Sequence, residues 1–297
     1  MEARTTPVAV PSMTLVGVDG AIPVLEYHGL GPTDGRWVRS PQGLASDLAS
    51  LYAEGFRPVD LDQIEMHPIP VPAGAHPVVL TFDDGLPSEF TWSASHPGQP
   101  SQDSSVGILW HFHLTHPDWA FRATFFVNRR PFGTDSGAKL RWLVAHGAEI
   151  GNHTYDHANL GTLAPAQRLA EVGRLQAYLA QALPGYTVQS FAYPYGGGAT
   201  LAPDTFAWGT YQGVSWHFHY LAEVGASPLE AQPTASLVDV PRIQVAAPGT
   251  CAPSTVRWIW YGWQHDWLPH ARLYTVEATG QSVTTAVYGA GLRAAGS

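Results

Sequence analysis

From about residue 22 onward, short apolar runs alternate with longer stretches of helical periodicity. Residues 22–27 predict a strand. Residues 41–54 predict a helix, with Leu44, Leu48, Leu51 and Tyr52 at helical spacing and Gly55 placed to end it. Residues 78–82 are apolar at nearly every position, as in a parallel strand buried on both faces. Residues 123–127 read the same way, and a shorter strand at 149–150 follows a helical stretch at 139–146. A long helix is expected over 163–183, with Pro165 near its first turn. Further strands are expected over 189–193 and 237–245. This alternation predicts an α/β fold, either a barrel or a doubly wound sheet. Residues 86–104, rich in Pro, Ser, Gly and Gln, break the rhythm and read as a surface insertion, a lid or rim beside a site.

Composition narrows the chemistry. The 297 residues are 45% hydrophobic and 13% charged, which suits a substantial core. The net charge of −9 and the lack of a basic block argue against nucleic acid as a partner. No apolar run approaches the ~18 residues of a membrane span. Residues 1–11 lack the basic start and apolar centre of a secretory signal. Cys251 is the single cysteine, so a transition metal would have to be held by carboxylates and some of the 14 histidines.

Four strand-to-loop junctions carry candidate chemistry. Asp83-Asp84-Gly85 closes the apolar 78–82 strand, and acids are costly to bury, so the pair is expected at a cleft. Neighbouring residues of a regular strand face opposite ways, and Gly85 permits a bend that brings both acids together. Asp-Asp-Gly on its own more often marks an Asx turn than a catalytic pair. His153 and His157, four apart after the next strand but one, would share one face of a helical turn and could grip one metal ion. The Tyr193-Pro194-Tyr195 segment ends in three glycines, which would let backbone N–H groups approach a substrate or simply make a turn. His28 ends the first strand, as a proton donor or as a core histidine.

Taken in order, these elements resemble the polysaccharide deacetylases of the NodB-homology group, carbohydrate esterase family 4. The matched residues are Thr81–Gly85, the Ala123-Thr124-Phe125-Phe126-Val127 strand, His153–His157 and Phe191–Gly196, with Tyr27-His28 and Val240–Ile243. The resemblance implies a distorted (β/α) barrel of about seven parallel strands, over residues 22–297 after an N-terminal extension at 1–21. Within it lie the 86–104 insertion and a Trp-rich segment at about 255–270. It implies that Asp83 is the general base and that Asp84, His153 and His157 hold a divalent metal: zinc, with cobalt or nickel as alternatives. Water on that metal would attack an acetyl carbonyl, with the Pro194-Tyr195 turn at the substrate and the oxyanion against the Tyr195 N–H. The family's usual Leu-x-x-His acid motif near the C-terminus has no clear match, and His265 and His270 lie in sequence of different character. Leu25-Glu26-Tyr27-His28 fits instead. That motif order is similar to the deacetylases of poly-β-1,6-N-acetylglucosamine and makes His28 the acid. Ala192 stands where the family carries an arginine, and Arg242 is expected to compensate by orienting Asp83.

The implied substrate is an N-acetylated glycan, most simply a polymer of N-acetylglucosamine, which places the protein at the cell envelope or outside the cell. Oligomeric state is left open. The alternatives are hydrolysis of another amide or acetyl ester on the same metal site, or a sugar-binding module whose catalysis has decayed. Adjacent Asp83 and Asp84 do not give the separated carboxylates of a glycosidase. No Gly-x-Ser-x-Gly elbow marks a serine hydrolase. His111, His113 and His116 could suggest a second metal site, but the segment reads as a partly buried helix ending at Pro117.

Overall fold

The computed structural model describes residues 14–201, 204–225, 227–231, 239–246, 264 and 268–279. Nine parallel strands form the main sheet. Numbered along the chain they are β1 (Val24–Tyr27), β2 (Phe56–Val59), β3 (His76–Asp84), β4 (Thr124–Val127), β5 (Glu149–Asn152), β6 (Ser190–Ala192), β7 (Tyr220–Ala222), β8 (Asp239–Val240) and β9 (Ile243–Gln244). Their spatial order is β8-β7-β6-β5-β4-β3-β1-β9, with β2 also paired to β3. Helices α1 (Pro41–Ala53), α2 (Ser105–Thr115), α3 (Ser136–Ala145) and α4 (Pro165–Ala182) follow β1, β3, β4 and β5. Seven of the strands have three or more residues, the number expected, and the other two are the short edges.

Those edges explain the barrel. β8 and β9 lie at opposite ends of the sheet order, yet only Pro241 and Arg242 separate them in the chain. Two residues bridge roughly 11 Å between flanking Cα atoms at most, so the sheet must curl until its edges almost meet. The single strand expected over 237–245 is therefore two strands. Pro241, which has no N–H to give a ladder, stands where the chain leaves one edge for the other. Pro23 similarly divides the 22–27 strand, leaving Gly20–Ile22 to pair antiparallel with Leu229–Ala231. Part of the N-terminal extension is also paired, Thr14–Val18 running antiparallel to Thr275–Thr279.

Alternation along the strands sets what each face holds. Leu25, Tyr27, Leu80, Phe82, Phe125 and Val127 pack with α1 and α3 through Leu44, Leu48, Leu140 and Leu143. The intervening residues Val24, Val79, Phe126 and Ala192 form a separate inner cluster with Ala222 and Val276. Glu26, Thr81 and Asp83 share the inward parity of Val24 and Val79. The barrel interior thus turns polar toward the carboxyl ends of the strands.

The 86–104 insertion does not line that polar end. Phe90 is fully buried against Trp92, Phe132 and Trp142, and Ser88 Oγ accepts from the Leu30 N–H at 3.0 Å. Residues 88–92 thus brace the loop after β1, while residues 94–99 are exposed. Among the described residues no helix is long and apolar enough to cross a membrane.

Candidate active site

The carboxyl ends of β1, β3, β5 and β6 open onto one cleft of about 510 Å³, lined by Glu26, His28, Asp83, Asp84, His153, His157, Tyr193 and Tyr195, with Arg36, Trp37 and Val224 at its wall. Glu26, His28, Asp83 and His153 arrive by strand parity: 26 on β1 with 28 just past its end, 81 and 83 on β3, and 149 and 151 on β5 with 153 just past its end. Asp84 has the wrong parity. It faces the cleft because its own backbone is left-handed (φ 82°) and Gly85 continues the bend (φ 62°). The bend expected at Gly85 therefore begins one residue earlier, on a side chain rarely found in that conformation.

His153 and His157 are not on a helical turn. Residues 153–159 form a loop in which Thr154 (φ 64°) and His157 (φ 54°) are left-handed. These two reversals, rather than helical spacing, bring the imidazoles to a centroid separation of 4.9 Å. The spacing of the two histidines was informative; the local structure inferred from it was not.

The ligand atoms of Asp84, His153 and His157 all lie within 4.8 Å of one another. His153 is buried, and its Nδ1 lies 2.9 Å from the Ala192 carbonyl. A carbonyl only accepts, so Nδ1 carries a proton, and Nε2 is the nitrogen that would meet a cation in the cleft. Asp84 Oδ1 is buried without a hydrogen-bond partner, 3.1 Å from His157 Nε2 and 3.6 Å from His153 Nε2. An orphaned carboxylate oxygen facing imidazole nitrogens is costly unless a cation sits among them. One carboxylate and two imidazoles suit a divalent transition metal. His157 Nδ1 is 3.0 Å from the Tyr195 hydroxyl, which fixes the ring from behind.

Asp83 has a different partner. Both its oxygens accept from Arg242, at 2.7 and 2.8 Å, and both residues are buried. Burial opposes ionisation of Asp83, but the Arg242 guanidinium and then His153 outweigh it and hold the carboxyl below the usual carboxylate range. Burial likewise opposes the charge of Asp84, and the neighbouring His153 and His157 outweigh it. Arg242 is itself anchored, donating through Nε to the Glu223 carbonyl at 2.6 Å and through Nη1 to Thr81 Oγ1 at 3.0 Å. The guanidinium on Asp83 thus comes from the seam between β8 and β9.

His28 lines the cleft with its ring 5.0 Å from that of Trp37. Its Nε2 lies 3.9 Å from Glu26 Oε1, a buried oxygen with no hydrogen-bond partner, while Glu26 Oε2 accepts from the Gly225 N–H at 3.0 Å. Sequence reasoning passed over Glu26, although its place two residues before His28 on a strand was enough to put both on one face. Tyr193, Trp37 and Arg36 were also missed as cleft residues. Pro194 is buried beneath the cleft, and Tyr195, left-handed at φ 58°, leaves its ring exposed at the rim. His113 and His116 make structural hydrogen bonds to the Trp119 and Phe112 carbonyls. His265, the His270 side chain and most of the Trp-rich segment lie outside the described residues.

Residues 118–206 match the family model for polysaccharide deacetylase. A protein of Arthroderma benhamiae named a probable peptidoglycan-N-acetylglucosamine deacetylase is 36% identical over 88 residues. That stretch is 29% of this chain and 20% of the relative's length. The fold resembles that of IcaB from Ammonifex degensii, with a TM-score of 0.57 and 23% identity over 80% of this chain and 94% of that one. It also resembles the Streptococcus pyogenes deacetylase PplD, solved with acetate, with a TM-score of 0.56 and 17% identity over 77% and 94% of the two chains.

Proposed function

We propose, for a chain that carries the polysaccharide deacetylase pattern across residues 118–206, that it is a metal-dependent hydrolase removing acetyl groups from N-acetylated glycans, N-acetylglucosamine polymers first among them. The observation that carries this reading is the division of labour between adjacent acids. Asp84 Oδ1 faces two imidazoles and has no hydrogen-bond partner, while Asp83, in the same cleft, is held through both oxygens by a guanidinium. Binding a sugar requires neither arrangement. A divalent cation held by Asp84, His153 and His157, zinc by its donor set, would supply Lewis acidity toward water and the acetyl carbonyl.

The remaining roles fall to this chain's own side chains. Asp83 takes a proton from the attacking water, and because Arg242 stabilises its charge it holds that proton only in passing. His28 protonates the departing nitrogen, which otherwise leaves poorly, and Glu26 Oε1 stands 3.9 Å from its Nε2. The Tyr195 N–H donates to the oxyanion. Water adds across the carbon–nitrogen bond, giving acetate and a free amine. Acting on such a glycan, the protein would work outside the cytoplasm.

The test is acetate release from N-acetylglucosamine oligomers by chelator-stripped protein, with and without added zinc, cobalt or nickel. Release that appears only with metal supports the reading. No release under any loading, or release indifferent to chelation, overturns it.

A further inference from the structure

The loop between β1 and α1 contains two arginines whose surroundings differ. Arg39 pairs with Asp34 at 3.2 Å and with Asp47 at 2.6 Å, so it takes both nearby acids. Arg36 is exposed and forms no ion pair among the described residues. It is nevertheless placed. Its guanidinium lies over the Trp37 ring, 4.8 Å from the centroid, and its carbonyl accepts from Gln244 Nε2 at 3.1 Å, tying the loop to β9. Stacking on an aromatic face orients the planar fork while leaving its N–H donors outward.

Arg36 is also a wall of the cleft. Trp37 lies 5.0 Å from the His28 ring, so these two contacts put the Arg36 charge within about 10 Å of His28. The other cation of the site, Arg242, is fully buried and committed to Asp83. The remaining charged side chains lining the cleft are the acids Glu26, Asp83 and Asp84, on a chain of net charge −9. With Arg242 spent on Asp83, and with Asp84, His153 and His157 assigned to a cation at the reacting centre, Arg36 is the exposed side-chain cation among the described cleft residues that a distal anion of the substrate can reach.

We infer that Arg36, presented on Trp37, is a specificity residue that selects a carboxylate on the sugar next to the acetylated one, so that the preferred substrate is an acidic N-acetylated glycan. This rests on the deacetylase reading of the same cleft. A fork-shaped donor and a planar carboxylate are matched in geometry as well as in charge.

The experiment uses an oligosaccharide in which N-acetylglucosamine alternates with glucuronic acid, together with the same oligosaccharide after reduction of its carboxylates to alcohols. Acetate release is measured as kcat/KM on both, and binding of both is measured by calorimetry on the Asp83→Asn protein. The expected preference for the acidic form is about fivefold, the scale of an exposed ion pair, and it should shrink as salt is raised. Arg36→Gln should remove the preference in both assays, and Arg36→Lys should keep part of it. Equal handling of the two oligosaccharides by the wild-type protein, or a preference that survives in Arg36→Gln, overturns the inference. If neither oligosaccharide releases acetate but the binding preference is present and depends on Arg36, the inference stands and the deacetylase reading fails.

Discussion

Arg242 reaches Asp83 from the two-residue seam that joins the sheet's two edges, and both of its terminal nitrogens are hydrogen-bonded to the carboxylate, at 2.7 and 2.8 Å. Curling the sheet is what brings this guanidinium to the end of β3. Closure of the barrel and ionisation of the proposed base are therefore one structural event. Arg242→Met should remove about 3–5 kcal/mol of stability, because it leaves a buried carboxylate uncompensated. Chemical denaturation of the purified variant measures this.

The same substitution has a consequence for pH. In the wild-type protein Asp83 is held below its ordinary range, so the stability it contributes is present at neutral pH and lost only as the solution becomes more acid than an ordinary carboxyl requires. Without the guanidinium, burial is opposed by less positive charge and the carboxyl titrates higher. The acid limb of the pH–rate profile should therefore move toward neutral pH in Arg242→Met. A limb that stays in place would separate Asp83 from the rate.

Asp83→Asn keeps the shape of the side chain and removes the proton acceptor. Turnover should fall by about 10²–10⁴ while metal content is unchanged, since none of the three proposed ligands is altered. Metal analysis alongside acetate release distinguishes a lost base from a lost cation.

His153→Ala and His157→Ala each delete one of three ligands and should deplete bound metal and activity together. Tyr195→Phe is milder. It removes only the hydroxyl 3.0 Å from His157 Nδ1, and should weaken metal affinity by about tenfold, the low end of the effect of losing an outer-shell partner. Titration with zinc in competition with a chromophoric chelator reads all three.

At the opposite end of the strands a smaller cavity of about 200 Å³ is lined by Asp60, Arg122 and Glu149. Asp60 is pushed up to about 8, because burial disfavours its charge more than the Arg122 contact at 2.8 Å favours it. In the unfolded chain this group ionises near pH 4, so between there and pH 8 the folded state holds the extra proton and stability falls as pH rises. Asp60→Asn should flatten that part of the curve of melting temperature against pH. An unchanged slope would show that Asp60 is ionised in the folded protein.

The sequence by itself determined the α/β alternation and the order of the chemical motifs along the chain. Apolar runs such as 78–82 can hardly be anything but buried strands, and acids at their ends must find a cleft. Parity along β1 and β3 even placed His28 and Asp83 on one face, and would have added Glu26. Only the tertiary structure decided how residues of the wrong parity or distant position joined them. Asp84 faces the cleft through a left-handed backbone, and His157 through two reversals in a loop, neither of which a periodic pattern encodes. Arg242 lies 159 residues from Asp83, and nothing local to either one announces the pair. Local patterns are set by each residue's immediate neighbours, whereas these contacts exist because a sheet with a two-residue seam must close, and closure is a property of the whole chain.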